Sequence, residues 1–223
     1  EYARAAALIK HGCIYQENNG IGFFRSEQLS AQGGVEHGFT ARTGGVSPAP
    51  YDSLHLNFQK PHDMALVREN FRRFCLGACI EYKSMVVVSY EHGVNVIKVD
   101  KNDASRGFDE PPLPPCDGII TNDPALTLIT NHADCGAFFV YDPVKRAVGI
   151  AHSGWKGTLG RIGKNVVELL RDSYGSQPED MIASTGPCIC QSCYEVDTPL
   201  AAKFDIEFGE GVCTTPGREG HAW

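Results

Sequence analysis

Histidine, cysteine and lysine crowd one stretch of the chain. Residues 130–157 read Thr-Asn-His-Ala-Asp-Cys-Gly, an apolar run, Asp142-Pro143, a second apolar run, and Ala-His-Ser-Gly-Trp-Lys-Gly. The Asp-Pro pair is a turn signal between two strand-like runs, so the segment predicts a hairpin. A hairpin brings its open ends together. Cys135 and His152, 17 positions apart, then become neighbours. Alternation along an extended segment sends Asp134 and Cys135 to opposite sides. A Cys beside a His has two chemical uses. The imidazole can activate a nucleophilic thiolate, or both can bind a borderline metal such as zinc. Equally, Cys135 could be a small core residue and His152 a hydrogen-bonded strand end.

Beside His152 lies Ser153-Gly154-Trp155-Lys156-Gly157, read as a loop between a strand and a helix. Glycines let backbone approach an oxyanion, a helix N-terminus adds its positive end, and Lys156 adds charge. These features suit phosphate, or else make only a tight turn with a solvated lysine. His37-Gly38-Phe39-Thr40-Ala41-Arg42-Thr43-Gly44-Gly45-Val46 is a second glycine-rich stretch, where Arg42 suits bidentate phosphate contact or a plain surface turn. Tyr90-Glu91-His92-Gly93 links two strand signals. Cys188, Cys190 and Cys193 could join Cys213 as a four-thiolate zinc site, but the spacing is not that of paired Cys-x-x-Cys, and they are read as free thiols.

The elements that must position these groups are a few helices and more strands. Apolar residues at 3–4-residue spacing predict helices over 64–80 and 158–174, the second stopped by Gly175. A third is expected from Asp197 as N-cap with Pro199 in its first turn. Strand signals fall at 85–89, 94–99, 125–130, 137–141, 147–151 and 181–185. The proline-rich stretch 111–115 reads as a stiff surface loop. The mixture predicts one α/β or α+β domain over residues 1–223, built on mixed sheets.

Composition narrows the partners. With 20 basic and 27 acidic residues the net charge is −7, and the pI near 5.6 argues against nonspecific nucleic-acid binding. No apolar run approaches the ~18 residues that span a bilayer, and no signal peptide is visible. The chain opens on Glu1, so a removed segment stays open. Nine dispersed cysteines suit reduced thiols in a cytoplasmic protein.

Six segments occur in a fixed order: 37–47, Tyr90-Glu91-His92-Gly93, Cys116-Asp117-Gly118-Ile119-Ile120-Thr121, Asn131-His132-Ala133-Asp134-Cys135, Ala151 to Gly157, and Gly186-Pro187-Cys188-Ile189 running on to Tyr194-Glu195-Val196. In these the chain resembles the YfiH-type family, formerly called multicopper polyphenol oxidases or laccases and now regarded as purine nucleoside phosphorylases. The resemblance covers roughly residues 34–197. It implies a layered α/β/β/α fold with mixed sheets, similar to toxin cysteine deamidases. It further implies one metal, usually zinc and with copper as an alternative, held by His92, Cys135 and His152. The implied activities are phosphorolysis of adenosine, inosine, guanosine and methylthioadenosine with inorganic phosphate, and deamination of adenosine.

Three N/S ligands leave one tetrahedral position open, the pattern of a catalytic zinc. Arg42 and Lys156 are the candidate anion holders, and Asp134 a partner for a ligating histidine or a ribose. The family usually has Gln-Val where Tyr90-Glu91 stands and often Arg where Lys156 stands. Its members usually continue past the position of Trp223, so an incomplete C-terminus is expected. Competing readings are a copper-dependent polyphenol oxidase, a cysteine hydrolase or deamidase using Cys135 and His152, and a non-enzymatic interaction domain. A multicopper oxidase needs roughly ten ligands, mostly imidazoles, whereas this chain has eight histidines and no His-x-His.

Overall fold

The computed structural model describes residues 12–58, 63–212 and 219–222. Cys213 lies outside them.

The core is a five-stranded mixed sheet. In chain order its strands are β5 (Val96–Lys98), β6 (Gly118–Thr121), β8 (Gly136–Asp142), β9 (Ala147–Ser153) and β10 (Ile182–Thr185). Across the sheet they run β10-β8-β9-β6-β5, with only β5 and β6 parallel. The Asp142-Pro143 turn makes the expected hairpin, with Asp142 opposite Ala147 and Ala137 opposite His152. Asp142 accepts the N–H groups of Val144 and Lys145, which pins the turn.

Alternation along the strands builds the layers. Ile120, Val140 and Ala151 meet Ile162, Val166 and Leu170 of a helix on one face of this sheet. Ile119 and Ile150 point to the other face and pack on Val86, Val88 and Leu128. Val86 and Leu128 belong to the parallel pair β4 (Met85–Val87) and β7 (Thr127–Ile129). The neighbouring Met85 and Val87 face away, onto Val67, Phe71 and Cys75 of the helix Met64–Ala78. The order is therefore helix, sheet, sheet, helix, as the resemblance implies. The Met-Val-Val run is buried on both sides, which explains its lack of polar alternation.

A separate antiparallel ladder joins β1 (Cys13–Asn18), β2 (Ile21–Ser26) and β3 (Phe39–Thr40), with α1 (Glu27–Gln32) after β2. Helix α2 (Met64–Ala78) is capped by Asp63, whose side chain accepts from Ala65. The last helix, α5 (Thr198–Phe208), starts at the expected cap, Asp197 accepting the Leu200 N–H at 2.8 Å. The short pair β11 (Val196–Asp197) and β12 (His221–Ala222) flanks it.

The structure divides the helix read over 158–174. A short α3 (Trp155–Leu159) comes first, Arg161 takes a left-handed conformation at φ 58°, and α4 (Ile162–Tyr174) follows, ended by Gly175 at φ 71°. Leu159 and Ile162 keep helical spacing across the break, so periodicity does not register it. Gly154 is thus the N-cap of α3 and Gly157 lies inside it, rather than both in an open loop. The proline-rich loop runs over the surface as expected, except that Leu113 plugs into the core.

Candidate active site

Cys135 stands one residue before β8, and His152 is the penultimate residue of β9. Hairpin register sets His152 opposite Ala137, so Cys135 falls opposite Gly154 and diagonal to His152. His92 arrives from the turn between β4 and β5, its backbone left-handed at φ 60°. A Cβ placed on Gly154 would lie 3.2 Å from Cys135 Sγ, 3.7 Å from His152 Cε1 and 3.7 Å from His92 Cδ2. All three side chains therefore border one small space that glycine leaves open. The two imidazoles meet edge to face, 4.9 Å between centroids. Gly157 keeps α3 against the same turn, since a Cβ there would sit 3.1 Å from the Gly93 carbonyl oxygen.

Asp117 organises this arrangement. Its carboxylate is fully buried and accepts four donors: the N–H groups of Glu91 (3.3 Å), His92 (3.1 Å) and Gly93 (2.7 Å), and His152 Nδ1 (3.1 Å). Its backbone carbonyl accepts the His152 N–H at 2.7 Å. One residue thus fixes the turn that carries His92 and the ring of His152. Because the carboxylate only accepts, the Nδ1 of His152 carries the proton and Nε2 keeps its lone pair. A carboxylate behind a histidine is the arrangement that orients metal-ligating imidazoles.

Burial pushes the His152 imidazole below its ordinary value, against the pull of Asp117, and His92 adds to the lowering. The ring is neutral near pH 7, as a ligand must be. Burial also raises the Cys135 thiol, helped by the nearby carboxylates of Asp134 and Asp117 and by Cys188. An ion binding there must displace the thiol proton. Among the described residues, no three His, Cys, Asp or Glu side chains already have their donors gathered at ligating spacing. The groups are adjacent but do not form a finished shell.

Two further rings line the cluster, neither of which the sequence marks as a ligand. Tyr90 stacks on His152, 5.0 Å between centroids and 28° between planes. His132 lies 5.4 Å from His152 and 5.6 Å from Phe39, and its Nε2 is 2.8 Å from Thr130 Oγ1. Burial, and next His152, push the His132 imidazole down to about 4, with the Cys135 backbone pulling the other way. The sequence carried no periodic signal for Asp117 or His132. Both did stand within the six ordered segments.

The remaining candidates lie further out. Asp134 is exposed, and no hydrogen bond joins it to either imidazole among the described residues. That place belongs to Asp117. Lys156 is exposed at the start of α3, its Nζ 5.5 Å from the centre of the Trp155 ring. Arg42 is exposed too, and its guanidinium donates to the carbonyls of Pro50 (3.3 Å) and Asp52 (3.1 Å). Cys188, Cys190 and Cys193 are free, exposed thiols.

The family model described as multi-copper polyphenol oxidoreductase laccase matches residues 36–222. The chain belongs to this family. It is 38% identical over 162 residues to a Bacillus subtilis protein named purine nucleoside phosphorylase YlmD, covering 72% of this chain and 58% of that relative. It is 35% identical over 200 residues to a purine nucleoside phosphorylase of Deinococcus radiodurans, covering 89% and 73%. Two crystal structures share the fold at a TM-score of 0.83. They are Bacillus licheniformis YfiH, at 30% identity over 90% of this chain and 75% of that one, and Geobacillus stearothermophilus YlmD, at 28% over 94% and 78%. No helix among the described residues is long and apolar enough to cross a membrane.

Proposed function

We propose that this chain is a zinc-dependent purine nucleoside phosphorylase that also deaminates adenosine. The observation that carries the reading is the meeting of His92, Cys135 and His152 around the space over Gly154, with Asp117 behind His152. The relatives named as phosphorylases support the substrate class. Two nitrogens and a sulfur fit zinc, and copper could replace it. When bound, the ion supplies Lewis acidity at its open position.

The chain's own residues divide the other work. Asp117 holds His152 in one tautomer and fixes the His92 turn. Tyr90 packs on the His152 ring and excludes water from that side. Lys156, exposed beside the cluster, meets the phosphate, and Arg42 of the second glycine-rich segment is the other anion holder. In phosphorolysis, phosphate joins the sugar anomeric carbon as the bond to the base breaks. The products are ribose 1-phosphate and the free purine. In deamination, adenosine and water give inosine and ammonia.

Asp117 bonded to His152, with Cys135 bordering the same space, is what speaks for the alternative cysteine-hydrolase reading. The raised Cys135 thiol opposes it, because a nucleophile of that kind needs a stabilised thiolate. Alkylation separates the two. Zinc protects a ligating Cys135 from iodoacetamide, whereas a nucleophilic one reacts quickly in the loaded protein.

The test of the reading is turnover of inosine with phosphate, and of adenosine with and without it. Cys135→Ala and His152→Ala are expected to stay folded, lose zinc and release no hypoxanthine. Parental turnover by Cys135→Ala contradicts the proposal.

A further inference from the structure

We propose that Cys135 and Cys188 form a reversible disulfide, a modification site that withdraws Cys135 from the cluster. Pairing of two segments brings the residues together. Strands β10 and β8 pair from Ile182 opposite Tyr141 to Thr185 opposite Phe138. Beyond the strand ends the two segments stay together. The Gly186 N–H donates to the Ala137 carbonyl at 3.0 Å, and the Ile189 N–H to the Asp134 carbonyl at 2.9 Å. The two bonds lie three residues apart on each segment, an odd step that departs from the alternation of a regular ladder, but they bracket Cys188 and Cys135, each one residue inward from the Ile189–Asp134 bond. Facing residues of two antiparallel segments joined on either side of them have Cα atoms about 4.5–5.5 Å apart. That separation falls within the ~4.4–6.8 Å that a disulfide spans. The electrostatic influence of Cys188 on the Cys135 thiol agrees with this closeness.

The strand order gives the pair its meaning. Strand β8 lies between β10 and β9. Cys135, just ahead of β8, therefore has Cys188 on one flank and the Gly154 space with both histidines on the other. One sulfur serves two alternative partners. Cys188 is exposed and Cys135 half-buried, so a dissolved oxidant meets Cys188 first. A peroxide is the oxidant class. The Cys188 thiolate attacks the O–O bond, giving a sulfenic acid and water. Cys135 then attacks that sulfur, forming the S–S bond and releasing a second water. Two thiols and one peroxide yield one disulfide and two waters. A dithiol reductant reverses the step by exchange and leaves as its own disulfide. Cys190 and Cys193 are the competing pair, with the Cys193 N–H on the Cys190 carbonyl at 3.0 Å.

The functional consequence rests on the reading of Cys135 as an ion ligand, but the bond itself has its own readout. The full chain, zinc-free and zinc-loaded, is treated with hydrogen peroxide, and its disulfides are mapped by mass spectrometry of peptides. The expected product is a Cys135–Cys188 link, lighter by two hydrogens, formed in zinc-free protein, suppressed by zinc and undone by dithiothreitol. Cys188→Ser removes the link and slows peroxide-driven loss of zinc binding by about tenfold, because the fast intramolecular step is gone. Cys188→Ala repeats the result should the serine variant fold poorly. The proposal is overturned if peroxide links only Cys190 to Cys193, drives Cys135 straight to the sulfinic acid, or inactivates parent and Cys188→Ser alike. A missing link in a zinc-binding, turning-over protein rejects this proposal alone. A link in a protein without phosphorolysis rejects the functional reading alone.

Discussion

The two ends of one hairpin are built differently. His152 is 4% exposed, tied to Asp117 through its ring and its backbone, and covered by Tyr90. Cys135 is half-buried, follows the exposed Asp134, and borders a segment holding three exposed thiols. His92 is exposed on its turn, but His152 is part of the core. The sulfur half sits on its rim, where another partner can compete for it. Asp117 holds the ring of His152 and the turn that carries His92 in place whether or not an ion is bound, and the sulfur is left free to change state.

The largest effect expected from this contrast concerns the two carboxylates. Asp117→Ala leaves the buried His152 Nδ1 proton and three part-buried backbone N–H groups without their acceptor, so it should cost about 3–5 kcal/mol. Asp134→Ala removes an exposed side chain and should stay within about 0.5 kcal/mol. Urea denaturation of both variants checks this, and equal midpoints erase the contrast.

A subtler probe adds one methyl. Gly154 has φ −74° and ψ 178°, extended backbone that alanine adopts freely, so Gly154→Ala should fold. Its Cβ enters the space shared by the three candidate ligands. Overpacking of about 1–3 kcal/mol should fall on the ion-binding arrangement, about tenfold in zinc affinity. Competition with a chelator measures this, and unchanged affinity places the ion elsewhere.

The smallest effects belong to the exposed cations. Lys156→Ala should raise the KM for phosphate about threefold, the value of one exposed charge, with the KM for the nucleoside unchanged. Arg42→Ala should do the same and also cost about 1 kcal/mol of stability, because it frees the Pro50 and Asp52 carbonyls. Steady-state kinetics with each substrate varied in turn separates these effects. Equal changes in both KM values reject the anion-holding roles.

The hairpin and its two reactive ends were legible because a turn dipeptide between apolar runs fixes which residues meet. The cap at Asp197 and the helix stop at Gly175 were legible for similarly local reasons. Asp117 was not, because its partners lie 24 to 35 positions away and nothing in its neighbourhood is periodic. Strand β6 escaped notice beside it, since Gly118–Thr121 is buried on both faces and shows no alternation. The β1–β2 hairpin carries a local sign of its own. Asn19 and Gly20 take φ 50° and 75°, which is what an Asn-Gly hairpin turn requires. The break at Arg161 was masked by apolar spacing that runs unbroken from Leu159 to Ile162.

The central claim is that two imidazoles and one sulfur, far apart in the chain, share one ion. X-ray absorption at the zinc edge of the loaded full chain tests it most directly. The account requires one sulfur at about 2.3 Å and two imidazole nitrogens at about 2.0–2.1 Å, with the sulfur lost in Cys135→Ala. A shell of three or four sulfurs, or of oxygens alone, would contradict it.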